Sequence, residues 1–394
     1  MKRYFVIAIL LLSLTSCGSI PPAQPDDTLP LEQTTQNNPL EEPEEPALPI
    51  ALTDTETLSA FMETMTVEEK VGQLFFVRCP ASNAAADVQT YHLGGYILFG
   101  RDTMDKTAND LIQAIASYQD AAQIPLLIGV DEEGGTVVRV SSNPHLRSAK
   151  FSAPRQIWQA GAEAVDADTH EKDLLLKALG FNVNLAPVAD VSTNSSDFIY
   201  ARTIGEDAQT VAFYTDAVVK TMSADNIGSV LKHFPGYGNN VDTHTGIAID
   251  QRPMETFTAN DFLPFQSGIA AGDGKTAILA SHNIVECMDA ELPASLSPAV
   301  HQILRETLKF DGVIMTDDLA MDAVAAYAKD GAVSVMAVQA GNDLIITTDY
   351  RTQIPKVIEA VKTGALDESV IDTACLRVLQ WKQNLGLLPT ELLG

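Results

Sequence analysis

Short apolar runs and amphipathic stretches alternate along most of this 394-residue chain. GQLFFVRC and GGYILFG precede the helix-patterned TANDLIQAIASYQDAAQ, and IPLLIGVDEEGG and FNVNLAPVADV precede the helix-patterned EDAQTVAFYTDAVVKTMSA. The rhythm continues through GSVLKHFPG, AILASHNI, the helical SPAVHQILRETLKF, GVIMTDD and NDLIITT, and it ends in the helical DESVIDTACLRVLQWKQNL. Short apolar runs bounded by turn formers mark strands buried on both faces, and their alternation with amphipathic helices predicts a parallel α/β sheet. Polar residues collect where the runs end: Asp131 after LLIGV, Asp190 after NLAPVA, Lys232 and His233 after GSVL, His282 after AILAS, Asp317 after GVIMT. Those are carboxyl ends of strands, where parallel sheets place their sites. No Gly-rich nucleotide turn follows the first strand, so a single TIM-type (β/α)8 barrel is expected over residues 52–394 rather than a doubly wound sheet.

The N-terminus breaks this pattern. Lys2 and Arg3 precede an apolar run from Tyr4 to Leu14, shorter than the ~20 residues of a spanning helix, so residues 1–16 read as a signal peptide. Leu14-Thr15-Ser16-Cys17 resembles a bacterial lipobox, which implies cleavage before Cys17 and a lipid on that cysteine. Residues 17–51 follow as an acidic, Pro-rich linker, with prolines at 21, 22, 25, 30, 39, 43, 46 and 49 and no basic residue. Such a stretch buries too little apolar surface to fold and reads as a tether. The expected location is outside the cytoplasm, anchored by lipid to the outer face of a bacterial cell membrane.

Charge narrows the partners. The 25 Lys+Arg against 52 Asp+Glu give a net charge of −27, which repels nucleic acid. Cys17, Cys79, Cys287 and Cys375 lack the paired spacing of a zinc or redox site. The last three read as small core residues, and Trp158 and Trp381 as packing residues.

Two segments carry candidate chemistry. In Lys232-His233-Phe234-Pro235-Gly236-Tyr237-Gly238-Asn239-Asn240-Val241-Asp242-Thr243-His244, Pro235 and the glycines force a loop, and Asp242 and His244 share one side of an extended chain. An Asp beside a His tunes an acid/base; taken alone, the pair also reads as a surface hydrogen bond or as metal ligands. In GVIMTDDLAM, a buried-type strand delivers Asp317 and Asp318. Adjacent side chains diverge, so one is expected to face a pocket and the other a structural partner or helix cap.

Together, K-H-F-P-G-x-G with D-x-H downstream, D-x-E-G-G-x-V-x-R and G-V-I-x-S/T-D-D-L-x-M resemble the family 3 glycoside hydrolases, in their β-N-acetylglucosaminidase branch. The resemblance covers residues 52–394 and implies a barrel without a second domain. It implies Asp317 as nucleophile, His244 as general acid/base and Asp242 as the residue orienting it. Asp131, Arg139, Arg202, Lys232 and His233 are implied to hold the sugar at the −1 subsite. The chemistry suits them, since Asp accepts from hydroxyl pairs while Arg and Lys donate. No metal or cofactor is implied. Tyr237 stands where the family pattern has a histidine, one residue fewer separates Gly238 from Asp242, and Thr203-Ile204 replaces the usual Ser and aromatic after Arg202.

The expected function is therefore a retaining exo-β-N-acetylglucosaminidase, monomeric and membrane-anchored through Cys17, that removes terminal β-linked GlcNAc from peptidoglycan fragments or chitooligosaccharides. Two alternatives stand beside it: a GlcNAc phosphorylase using the same site, and a sugar-binding lipoprotein without catalysis.

Overall fold

The computed structural model describes residues 54–240, 246, 248–327 and 333–393. Cys17, with the expected signal peptide and tether, lies outside the described residues, as do Asp242 and His244. Seven strands form one all-parallel sheet: in spatial order β1 (Phe76–Arg78), β2 (Gly95–Leu98), β3 (Leu127–Val130), β4 (Val183–Asn184), β5 (Gly228–Phe234), β7 (Thr276–Ala280) and β9 (Ile314–Thr316). The short β6 (Ile249–Asp250) and β8 (Ile284–Val285) pair with each other.

Helices Ala108–Ala121, Ala162–Leu179, Ala208–Ala224 and Phe262–Ala271 lie between successive sheet strands, and Tyr350–Lys362 and Glu368–Asn384 follow β9. Their starts are written locally. Thr107 and Asp110 form a capping box, and the side chains of Asp207 and Asp367 accept from Thr210 N and Ser369 N.

Both sheet faces are buried, as the unbroken apolar runs require. Phe76, Ile97, Leu127, Val230, Leu279 and Met315 pack inside the curl of the sheet. Val77, Tyr96, Ile128 and Val130 point outward against helices, as do Leu231, Ile278 and Ile314 against Phe257, Phe262 and Phe265. Trp381 closes the inner cluster from the last helix, its Nε1 donating to Lys275 O at 2.9 Å. Cys79 and Cys375 are core residues; Cys287, in the turn after β8, is exposed, contrary to the expectation that it packs inside.

The sheet is a curled half-barrel of seven strands, which corrects the expected closed ring of eight. NDLIITT, the expected eighth strand, is not a strand. Leu344 makes a single parallel bridge to Met315 and Ile345 one to Phe75. Side chains intercept the N–H groups a ladder would use: Asp343 Oδ2 accepts from Ile314 N at 2.8 Å, and Thr316 Oγ1 from Ile346 N at 3.0 Å.

One buried group works against the fold at high pH. Asp173, on the helix Ala162–Leu179, is 0% exposed, and among the described residues neither carboxyl oxygen has a hydrogen-bond partner. Burial, then repulsion from Asp225, pushes its pKa from 3.8 up to about 8. Between those values the folded state keeps a proton that the unfolded state has released, so stability falls as pH rises through this window. Asp173→Asn is expected to raise Tm at pH 8 by several °C, on the order of what 1–2 kcal/mol produces, and to change little near pH 4. Thermal melts of both proteins across that range check it.

Candidate active site

Strand alternation decides which polar residues meet. Phe76, Ile97, Val230 and Met315 face the inside of the curl, so Arg78, Phe99, Lys232 and Asp317, two positions on, face the same way in the layer above. Gly129 faces inward as well, since a Cβ there would lie 2.4 Å from the Phe76 ring, and this puts Asp131 in the same layer.

Lys232 Nζ donates to Asp131 Oδ1 and to Glu133 Oε1, each at 2.7 Å. Arg202, at the end of the 3₁₀ turn Phe198–Arg202, donates from Nε and Nη2 to the two Glu133 oxygens at 3.0 and 2.6 Å. This is the planar fork on a carboxylate that only a guanidinium makes. Arg202 Nη2 also lies 3.2 Å from His233 Nε2, and His233 Nδ1 lies 2.8 Å from Asp190 Oδ2. Because Arg only donates and a carboxylate only accepts, the network turns the Nδ1 proton toward Asp190 and leaves Nε2 as acceptor. The other Asp190 oxygen accepts from Tyr237 N at 2.7 Å, and the Tyr237 ring meets His233 edge-on at 5.0 Å. The Lys232–His233 and Phe234–Pro235 peptide bonds are cis.

Glu133 is the hinge of this cluster, with its side chain 1% exposed. Burial opposes its charge, but Lys232 and Arg202 outweigh burial and hold the carboxyl well below the usual range. Burial likewise opposes the Arg202 charge, and Glu133 keeps that guanidinium above its ordinary value. Glu132, next in the chain, serves the loop instead. It accepts from Arg139 N, Val140 N and Ser141 N at 2.8, 2.7 and 3.2 Å, pinning the segment that carries Arg139. Arg139 Nε and Arg78 Nε are buried and have no hydrogen-bond partner among the described residues; the Arg78 guanidinium lies 4.4 Å over the Phe99 ring.

At the end of β9, Asp317 N donates to Ala280 O at 3.1 Å and Asp317 Oδ1 accepts from Asp318 N at 2.8 Å. Asp318 points elsewhere, accepting from Ala320 N, Thr348 N and Thr348 Oγ1 at 3.0, 3.2 and 3.0 Å. The adjacent carboxylates therefore divide, one toward the site layer and one into the turn. His282 is enclosed, with Nδ1 2.7 Å from Ser295 Oγ and Nε2 3.0 Å from Asp318 O.

Of the residues singled out in the sequence, Asp131, Arg202, Lys232 and His233 meet in one network, and Arg139 and Asp317 stand on the loop and strand beside it. Glu133 and Asp190 were missed as site residues. The signal for Glu133 was its place two residues after Asp131, and for Asp190 its place at a strand end. Among the described residues no group of three His, Cys, Asp or Glu side chains is placed to hold a metal ion. The arrangement offers fixed acceptors and donors to a polyhydroxylated ligand, with a carboxylate, Asp317, in the same layer.

Glu133→Gln is expected to destabilise the fold by about 3 kcal/mol at neutral pH, because it strips a buried cation pair of its counter-charge. The native carboxyl is depressed below 4.5, so its contribution is complete above that pH and declines only as pH drops toward the lower folded value. Chemical denaturation at pH 7 and pH 3 checks the magnitude and its direction.

The description "Glycosyl hydrolase family 3 N terminal domain" matches residues 66–381. The chain is 29% identical over 333 residues to "Beta-hexosaminidase LpqI" of Mycobacterium tuberculosis, covering 81% of this chain and 83% of that protein. It is 32% identical over 275 residues to a "Beta-hexosaminidase" of Glaesserella parasuis, covering 68% and 78%. Among solved structures, a family 3 β-N-acetylglucosaminidase from Paenibacillus sp. superposes with a TM-score of 0.76 at 30% identity, covering 82% of this chain and 63% of that one. The structure of M. tuberculosis LpqI gives 0.76 at 26%, covering 84% and 97%. With a family match over most of its folded length and an acidic, cation-balanced site at the strand ends, the chain belongs to glycosyl hydrolase family 3 and is a glycosidase.

Proposed function

We propose that the protein is a retaining exo-β-N-acetylhexosaminidase that removes terminal β-linked GlcNAc. The observation that carries this reading is the balanced cluster of Asp131, Lys232, Glu133 and Arg202 lying in one layer with Asp317. The cluster supplies donors and acceptors for sugar hydroxyls, joined by Arg139 and His233, and a sugar lacking a matching hydroxyl leaves one of them buried and unpaired. The names of the relatives support the hexosamine.

In the first step Asp317 attacks the anomeric carbon as the bond to the leaving oxygen breaks, and His244, oriented by Asp242, gives that oxygen its proton. In the second, His244 takes a proton from water, the water oxygen bonds to the anomeric carbon, and Asp317 departs as carboxylate.

At the N-terminus we propose cleavage before Cys17 and lipidation there, with residues 17–51 as a tether. Extended at ~3.1 Å per residue, it reaches on the order of 100 Å from the membrane. Peptidoglycan fragments or chitooligosaccharides are the substrates within that reach.

The purified full chain is expected to release p-nitrophenol from the β-GlcNAc glycoside and not from the β-glucose glycoside, with the β-anomer as first product by NMR. Asp317→Asn is expected to lower kcat at least about 1,000-fold with the fold intact by circular dichroism. A sugar 1-phosphate formed in phosphate buffer moves the reading to phosphorolysis, and tight GlcNAc binding without turnover moves it to a binding protein. Cys17→Ser is expected to shift the protein from the membrane fraction to the soluble fraction on cell fractionation.

A further inference from the structure

Asp242 and His244 lie in sequence between the turn 235–238 and β6, and one side chain grips both of these flanking pieces of chain. Arg252 Nη2 donates to Gly236 O at 3.1 Å on the outgoing side and to Asp250 Oδ2 at 2.7 Å on the returning side. Arg252 Nε adds bonds of 3.0 Å to both Asp250 oxygens, and Nη1 donates to Asp261 Oδ1 and Oδ2 at 3.0 and 3.1 Å. Asp250 and Asp261 are buried, with side chains 1% and 3% exposed, and the guanidinium lies 4.4 Å over the Phe257 ring. Asn240 ties the same two ends a second time, its Nδ2 donating to Tyr237 O at 2.9 Å and to Asp250 Oδ2 at 2.7 Å.

The two glycines of the F-P-G-Y-G turn are shaped to this clamp. Gly236 has φ +122°, and a Cβ there would lie 2.4 Å from Asp261 Oδ1; Gly238 has φ +52°, and a Cβ there would lie 2.5 Å from Arg252 Cζ. Both positions demand backbone that only glycine adopts freely, and both place it directly against the Arg252–Asp261 pair. Such a fork between two buried carboxylates and a carbonyl fixes the direction as well as the position of the chain it holds, because the donors of one planar group are used at once.

We propose that Arg252 is a positioning residue for the acid/base segment, setting the spacing between the two ends of chain from which Asp242 and His244 are presented. The proposal rests on the reading of Asp242 and His244 as the acid/base pair. Its signature is selective: protonation of the leaving oxygen depends on the clamp, whereas sugar binding by Asp131, Arg202 and Lys232 and attack by Asp317 do not.

The test compares kcat/KM for two β-GlcNAc glycosides, phenyl, whose leaving group needs a proton, and 2,4-dinitrophenyl, whose leaving group departs without one. Arg252→Gln, and the milder Asn240→Ala, are expected to lower kcat/KM about 100-fold and about 10-fold on the phenyl glycoside, with less than about 5-fold loss on the dinitrophenyl glycoside. Arg252→Lys keeps the charge without the fork and is expected to fall between wild type and Arg252→Gln. Equal losses on both glycosides, in variants whose melting shows them folded, overturn the proposal, as does wild-type activity on the phenyl glycoside. Should Arg252→Gln not fold, Asn240→Ala alone decides between these outcomes. His244→Ala runs alongside. If it shows no preference for the dinitrophenyl glycoside, the acid/base reading itself fails and takes the clamp's role with it; if it does and the Arg252 and Asn240 variants do not, the clamp alone fails.

Discussion

A carboxylate buried to 1% exposure, Glu133, is the constraint on which the upper layer of this protein depends. Lys232 and Arg202 cannot both be held inside a protein without a counter-charge between them, and Glu133 cannot stay ionised there without both cations. Each group is therefore fixed by the other two. Asp131 completes the balance, with two cations facing two carboxylates. The outcome is a set of rigid donors and acceptors inside a chain whose net charge is −27.

The same interactions run outward as a continuous network. Glu133 holds Arg202, Arg202 meets His233, His233 meets Asp190, and Asp190 takes the Tyr237 N–H. One residue earlier, Gly236 O is held by Arg252, which is in turn set by Asp250 and Asp261. The turn 235–238 is thus fixed from two sides: by the charged network through Tyr237, and by the clamp at the loop ends through Gly236. Packing alone does not achieve this. Apolar burial fixes a turn's position loosely, while charge-assisted bonds from a planar group fix its direction as well.

Much of this arrangement is legible in the order of residues. The apolar runs around Phe76, Ile97, Leu127, Val230, Leu279 and Met315 place the strands, and Asp131, Lys232, His233 and Asp317 stand at their ends before any coordinate is known. The division of labour between Asp317 and Asp318 follows from side-chain alternation alone. Three features do not follow from such patterns. NDLIITT has the composition of a strand, yet Asp343 takes the Ile314 N–H of the neighbouring strand and Thr316 takes the Ile346 N–H of the segment itself, and single bridges remain. Cys287 sits in an apolar-looking run but follows a two-residue strand and turns outward. Glu133 resembles any acid of a polar loop until Arg202, 69 residues away, and Lys232 converge on it.

The sequence by itself determined the parallel α/β rhythm, the helix starts, the residues available at the strand ends and the family, because each is a property of neighbours along the chain. Only the tertiary structure decided which charges share a partner, how far the sheet closes, and that one arginine holds both ends of the loop between Gly236 and Asp250. Those depend on which distant segments come within about 3 Å of each other, and hydrogen bonds and ion pairs of that length act through space rather than along the backbone.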